Sequence, residues 1–209
     1  MLYIIMVTIK GTAEGLITVK KSRFLGLACR AETEADALQV IEERKRRHRD
    51  ARHNCFAWIL ENGEMRYTDD GEPQGTAGIP ILEVIKNSGL TDALVIVTRY
   101  FGGTLLGAPG LARAYAQCAS QTLASAAKIR ITAYNAYDCV FDFATFSRAQ
   151  FPLCAAGCII DEITYGGDVR AKLYISPEKS EIILKQIGDL TSGRTVPIPA
   201  GTKRITSNV

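Results

Sequence analysis

The chain has 209 residues, of which 47% are hydrophobic and 22% are charged, and its formal net charge is +3. This composition is typical of a folded soluble protein, and it excludes collagen-like chains, disordered tails and disulfide-scaffold proteins. The six cysteines form no C-x-x-C pair, and most lie within apolar segments, which favours a reducing cytoplasmic setting. The sequence has no run of about 18 apolar residues, so no membrane-spanning segment and no membrane partner are predicted.

The first part of the chain predicts an extended segment, a hairpin and a helix. The apolar opening at 1–9 lacks the basic start and the small-residue cleavage site of a secretory signal, so we predict an extended lead-in. Residues 16–30 are rich in β-branched and aromatic types, which predicts two strands with a turn near Lys21. Thr33 is then placed to cap a helix that ends near Arg47.

The next elements alternate between strands, helices and two glycine-rich loops. The predicted order is strands at 54–60 and 64–68 joined by an Asn-Gly turn, a glycine loop at 69–78, a helix at 79–87, a strand at 93–100, a second glycine turn at 101–110, and a helix to about residue 127. The strand at 93–100 contains a continuous Leu-Val-Ile-Val run, which is typical of a strand covered on both faces.

After residue 128 the pattern starts again as a second unit. The predicted elements are a strand at 129–143, a helix at 146–157, strands at 158–165 and 169–176, a helix at 177–190 and a strand at 194–199. This β-α-β-β-α-β order is the ferredoxin-like arrangement. We therefore predict an α+β protein with two domains, 1–129 and 130–209.

The densest charge is a basic run at residues 44–53, at the end of the first predicted helix. Counterion release makes such a run suited to the phosphates of RNA or DNA. The alternative is a solvated helix end whose basic residues complement the helix dipole and pair with Glu42 and Glu43. Aromatic residues are not interleaved with the run, which argues against sequence-specific reading of a single strand. The predicted phosphate contacts are Arg44, Lys45, Arg46, Arg47, Arg49 and Arg52.

The chain has two histidines, His48 and His53, and their spacing of five residues does not match a helical zinc pair. We predict no metal site and no cofactor. If the helix ends near Asp50, His53 lies at a strand entrance, where it could act as a general base, although structural hydrogen bonding is the commoner role.

The two glycine loops each leave two interpretations open. Asp69, Asp70 and Glu72 could hold a cation, or they could accept backbone N–H bonds and pair with Arg99 or Arg113. The second loop lies between a buried strand and a helix, where phosphate often binds, but it contains no Walker motif. Tight packing of the helix against the strand is the alternative there.

Several motifs, in the same order along residues 16–127, resemble the IMPACT/YigZ family. They are Lys21-Ser22-Arg23-Phe24, the segment 48–53 with Ala57, Asp69-Asp70-Gly71-Glu72-Pro73, the segment 75–80, the segment 97–103, Leu106-Gly107 and Leu111-Ala112-Arg113-Ala114-Tyr115. The resemblance implies an N-terminal α/β sandwich like a small-subunit ribosomal protein and domain IV of elongation factor G. It implies a C-terminal domain like the ferredoxin-like domain V of that factor.

The resemblance also implies a functional surface and a link to translation. Eukaryotic members regulate translation by competing for the activator of a starvation-responsive initiation-factor kinase. One departure is Pro109, which stands where the family usually has Gly and removes an N–H from the second loop. The surface that the family motifs imply consists of His53, Asp69, Asp70, Glu72, Arg99, Tyr100, Gly102, Gly103 and Arg113.

These observations lead to one main expectation and two alternatives. We expect a cytoplasmic, non-enzymatic accessory or regulatory factor that binds RNA, the ribosome or a translation-associated protein. The first alternative is an enzyme acting on a small phosphorylated or peptide substrate, with Asp69, Glu72, Arg99, Arg113 and their neighbours around a cleft. The second is a protein-interaction adaptor that binds no nucleic acid. The sequence leaves the oligomeric state open.

Overall fold

The structure is a computed structural model that describes residues 5–209. The strands are β1 Ile5–Ile9, β2 Thr12–Val19, β3 Ser22–Arg30, β4 His53–Ile59, β5 Met65–Thr68, β6 Ala93–Tyr100, β7 Lys128–Phe141, β8 Ile159–Tyr165, β9 Val169–Ile175 and β10 Ile198–Asn208. The helices are α1 Glu34–Arg47, α2 Gly78–Ser88, α3 Ala108–Ser125, α4 Phe143–Ala156 and α5 Ser180–Thr191, with a 3₁₀ turn at Pro177–Lys179. Of the predicted lead-in, residues 1–4 lie outside the described part, and the rest forms β1.

The described chain divides into two compact units, one built on Met6–Arg130 and the other on Ile131–Ser207. The domain boundary expected from the sequence, between residues 129 and 130, stays a prediction. Within residues 5–209, no helix is both long enough and apolar enough to cross a membrane.

The N-terminal unit is built on an antiparallel sheet with the strand order β2-β3-β6-β4-β5. The central strand β6 packs on both faces, because successive side chains point in opposite directions. Leu94 and Ile96 join a cluster with Ile41 of α1. Val95 and Val97 join the cluster that contains α2 and α3. The prediction of a strand covered on both faces is confirmed.

Local signals explain where α1 begins. The hydroxyl of Thr33 accepts from the N–H of Asp36 at 3.1 Å, and the Asp36 carboxylate accepts from the N–H of Thr33 at 2.9 Å, which is a reciprocal capping box. The predicted cap and helix end are both confirmed. The preceding hairpin turns at Lys20 and Lys21, which both have positive φ, as a type I′ hairpin turn requires.

The C-terminal unit has the predicted ferredoxin-like order of elements. β9 lies between β7 and β8, and β10 pairs with β7. Helices α4 and α5 pack together and bury Leu153, Ile183 and Ile187 against Leu173 of β9. The α+β class, with a ferredoxin-like second half, is therefore confirmed.

The predicted start of the last strand, at residue 194, is wrong, because the strand begins only at Ile198. The preceding residues stay bonded to the end of α5: the N–H groups of Arg194 and Thr195 donate to Thr191 O and Oγ1, at 3.1 and 3.3 Å. Pro197 has no N–H to give to a sheet ladder. The chain therefore joins the sheet later than its β-branched residues suggest.

Candidate functional site

The first glycine loop is organised around the carboxylate of Asp69. Its Oδ1 accepts from the N–H groups of Ala77 and Gly78 at 2.9 and 2.8 Å, and its Oδ2 accepts from the N–H of Gly75 at 2.7 Å. The residue that precedes α2 provides no side-chain cap. Asp69 therefore caps α2 from a distance, where its negative charge also complements the helix dipole.

The next acid is also bonded to the backbone. Asp70 accepts from the N–H of Asn54 at 2.6 Å, and its carbonyl lies 2.8 Å from Nδ1 of His53. A carbonyl only accepts, so His53 donates from Nδ1. Within residues 5–209, no cluster of three or more His, Cys, Asp or Glu side chains is arranged to hold a metal ion.

The third acid, Glu72, is part of a buried polar chain. It forms an ion pair with Arg99 at 2.7 Å and accepts from the hydroxyl of Tyr115 at 2.8 Å. Tyr115 in turn lies 3.4 Å from the thiol of Cys55. Burial is the largest cause that raises the pKa of both Tyr115 and Cys55, so neither is ionised near neutral pH.

These contacts match the structural interpretation of the acidic loop, because all three acids are bonded inside the protein. Arg99 is the arginine that pairs with the loop, whereas Arg113 is exposed on α3 and forms no ion pair with any residue from 5 to 209. His53, Glu72 and Arg99 line one open cleft, but Glu72 and Arg99 neutralise each other there. Asp69, Asp70 and Arg113 do not line that cleft. The geometry does not favour the enzyme alternative.

The second glycine loop passes close to the β2–β3 turn. The N–H of Gly102 donates to the hydroxyl of Ser22 at 3.1 Å. A Cβ at Gly102 would collide with the carbonyl of Lys21 and the amide nitrogen of Ser22, so only glycine allows this approach. The neighbouring Gly103 has a φ of +83°. The loop is thus held against the hairpin, and its two glycines have backbone roles.

Beside this loop lies an open cleft of about 400 Å³. Its lining combines basic side chains, the carboxylate of Glu72 and apolar side chains, and the start of α3 forms one end. Phe101 and Leu105 are 51% and 83% exposed, which is high for large apolar residues. The side chains that line it include Arg52, His53, Glu72, Arg99, Phe101 and Leu105.

The structure corrects one member of the predicted phosphate-binding set. The side chain of Arg44 is buried: its Nε donates to Oγ1 of Thr98 at 3.0 Å, and its Nη2 donates to the carbonyl of Leu25 at 3.1 Å. Glu14 lies 3.7 Å from its Nη1. Arg44 therefore holds α1 on the sheet, and its guanidinium is not available to phosphate.

The other members of the run differ in how much of their charge is free. Lys45 is half-buried and lies 3.4 Å from Glu42. Arg47 is 73% exposed and lies 3.9 Å from Glu14, a long separation for an ion pair. Three further exposed arginines make no ion pair with any residue of the described chain. We define the basic surface as Arg46, Arg47, Arg49 and Arg52.

Sequence reasoning missed that aromatic residues lie beside this run in space. The hydroxyl of Tyr100 lies 2.9 Å from Nδ1 of His48, and Phe101 shares the cleft with Arg52. The two aromatic residues come from the end of β6, about 50 positions later in the chain. The antiparallel pairing of β4 with β6, in which His53 lies opposite Arg99, places them there, and this register has no local signal in the sequence.

Comparisons with known proteins agree with the resemblance. The family model of the Impact N-terminal domain matches residues 20–123. IMPACT family member YvyE of Bacillus subtilis is 34% identical over 190 residues, which cover 90% of this chain and 88% of YvyE. IMPACT family member YigZ of Escherichia coli is 37% identical over 123 residues, covering 57% and 60% of the two chains. A crystal structure described only as that of a hypothetical protein aligns with a TM-score of 0.62 at 25% identity, covering 96% of this chain and 98% of the other. The chain belongs to the IMPACT family.

Proposed function

We propose that this protein is a cytoplasmic, non-enzymatic accessory factor of translation that binds RNA, free or within the ribosome, through the basic surface. Membership of the IMPACT family, whose members are linked to translation regulation, supports the connection to translation. The observation that supports RNA is the set of four exposed arginines at 46, 47, 49 and 52. Among residues 5–209, only Arg47 of these has an acidic neighbour within ion-pair distance.

This arrangement is costly in an isolated protein, because four like charges repel each other. An RNA backbone removes that repulsion and releases the counterions that had condensed on its phosphates. The binding that results is strong at low salt and weak at high salt. A translation-associated protein with an acidic patch is the other partner that the charge allows, and it would bind without nucleic acid.

The test is a salt titration of RNA binding by fluorescence anisotropy, using a labelled single-stranded RNA between about 50 and 200 mM salt. Three proteins are compared: wild type, the triple variant R46A/R47A/R49A, and the control R148A/R170A/K185A. The control removes the same charge from exposed positions in the C-terminal unit.

We expect the R46A/R47A/R49A variant to lose affinity and to reduce the slope of log K against log salt by about two. The control is expected to keep the wild-type slope. Equal, salt-insensitive binding by both variants would contradict the proposal. The proposal is contradicted in favour of the adaptor if wild type binds no RNA but forms a complex with a protein partner that resists nuclease.

A further inference from the structure

We propose that the cleft beside the basic surface takes one unpaired base of the bound RNA, stacked on the ring of Phe101. The inference rests on the proposed function, because the basic surface must first hold the RNA backbone. It adds a contact that an unpaired base can make and a paired base cannot. This goes beyond a purely electrostatic contact, which is indifferent to the bases.

The ring of Phe101 is a platform fixed from behind. The guanidinium carbon of Arg99 lies 5.6 Å from the centroid of the Phe101 ring and 5.5 Å from that of Phe24. Arg99 is itself held by its ion pair with Glu72. Phe101 therefore packs against a side chain that is held in place, while half of its own side chain remains exposed. A supported, half-exposed aromatic ring is what base stacking requires.

The other exposed group of the cleft is apolar as well. Leu105 is 83% exposed on the same loop, so two large apolar side chains lie open to water within a few residues. Neither contributes its surface to the core of the unit. A ligand with a flat apolar face would remove this surface from water, and a nucleobase has such a face.

The charge around the cleft favours a ligand that also carries a phosphate. Arg52 lines the cleft and also belongs to the basic surface, so it is the residue that the two share. Arg99 and Glu72 also line it, and because they form an ion pair with each other, the positive charge at the cleft that is left unpaired among residues 5–209 is that of Arg52. The helix α3 begins at the same cleft without a side-chain cap, which adds the positive end of its dipole.

A base within a duplex is stacked on both faces and does not reach such a cleft unless it is unpaired. The ligand is therefore a nucleotide of a single strand or of a loop. A peptide with an apolar side chain would also fill the apolar part of the cleft, but it does not explain the arginines that adjoin it. We treat peptide binding as an outcome of the test.

The test compares two labelled oligonucleotides of the same length and charge. One is an oligouridylate, and the other has the same backbone with abasic positions throughout. The proteins are wild type, Phe101→Ala, Phe101→Tyr and the control Phe151→Ala, which removes an 81% exposed ring from the C-terminal unit. Thermal unfolding of each variant checks that the fold is kept.

We expect wild type, Phe101→Tyr and Phe151→Ala to prefer the oligouridylate about tenfold. Phe101→Ala is expected to lose most of this preference while its salt slope stays that of wild type. Binding of both oligonucleotides by wild type with equal affinity and a steep salt slope overturns the cleft assignment and leaves the proposed function standing. Equal weakening of both oligonucleotides by Phe101→Ala also overturns it, because the ring would then support the loop and not a base.

If wild type binds neither oligonucleotide, the proposed function and this inference fail together. If an apolar peptide then binds wild type but not Phe101→Ala, the cleft is assigned to a protein partner.

Discussion

Nη1 of Arg99 lies 2.7 Å from Oε1 of Glu72, and the two side chains are only 6% and 3% exposed. Tyr115 donates its hydroxyl to the same carboxylate oxygen at 2.8 Å. This pair ties the first glycine loop to the end of β6, and it places the guanidinium behind the ring of Phe101. The floor of the cleft therefore depends on the buried guanidinium of Arg99, whose charge is neutralised by Glu72.

Removal of one charge from this pair should be strongly destabilising. We expect Glu72→Gln to lower the free energy of unfolding by about 3 kcal/mol, because a buried guanidinium is left without its counter-charge. Chemical denaturation followed by circular dichroism measures the change.

The matched control is Glu42→Gln, which removes an exposed partner of Lys45. That variant should change the free energy of unfolding by less than about 0.5 kcal/mol. Equally small effects of both substitutions would show that Arg99 reaches solvent when Glu72 is lost, contrary to its burial here.

Asp69 should protect the backbone amides at the start of α2 from hydrogen exchange. We expect Asp69→Ala to cost about 2 kcal/mol, because three backbone N–H groups lose their acceptor together. The amides of Gly75, Ala77 and Gly78 should exchange faster than in wild type. The control Asp168→Ala changes an exposed turn residue and should leave those amides unchanged. Unchanged protection in Asp69→Ala would contradict the capping role.

The sequence predicts elements well wherever the signal is local. The capping box of Thr33 and Asp36 needs only four residues to recognise, and the left-handed Gly89 that ends α2 is an equally local stop signal. The β-α-β-β-α-β order follows from the spacing of apolar segments alone. The late start of β10 was missed because Thr191 competes for the backbone after α5, and that contact depends on the helix end.

The burial of Arg44 had a signal in the sequence that the charge of the run hid. Ala37, Ile41 and Arg44 are spaced by four and three residues, so they share the buried face of α1. Periodicity therefore separates Arg44 from its exposed neighbours. The position of Phe101 beside Arg52 had no such signal, because it depends on the register between β4 and β6.

His48 should make stability depend on pH in a defined window. Tyr100 donates its hydroxyl to Asp50 at 3.0 Å, so Nδ1 of His48 donates to the Tyr100 oxygen. Nε2 is buried and has no partner among residues 5–209. Burial first, and then the charges of Arg44 and Arg47, lower the pKa of His48 from its ordinary 6.5.

Below pH 6.5 the unfolded chain binds a proton that the folded His48 does not. The contribution of His48 to the free energy of unfolding is therefore complete above pH 6.5, and it is lost as the pH falls toward the lowered pKa of His48. We expect the free energy of unfolding of wild type to fall more steeply in this window than that of His48→Gln, which keeps a donor to Tyr100 but does not titrate. Urea denaturation at a series of pH values measures both curves, and parallel curves would contradict the assignment.

Gly26 and Thr122 should be energetically coupled across the interface between the sheet and α3. Gly26 lies opposite Gly15 in the β2–β3 register, and a Cβ added at Gly26 would collide with Oγ1 of Thr122 and lie 3.0 Å from its Cβ. We expect Gly26→Ala to cost about 2 kcal/mol through this overpacking. Thr122→Ala alone should cost about 1 kcal/mol, because the buried hydroxyl that donates to Cys118 O is lost.

The double variant Gly26→Ala/Thr122→Ala separates steric contact from general loosening of the helix. Since the second substitution removes the atom that the new methyl group meets, the pair should be about 1 kcal/mol more stable than the sum of the single effects predicts. A cycle of urea denaturation curves measures this coupling. Strict additivity would mean that α3 moves away from β3 to admit the methyl group, and the close approach would then not be what requires glycine at position 26.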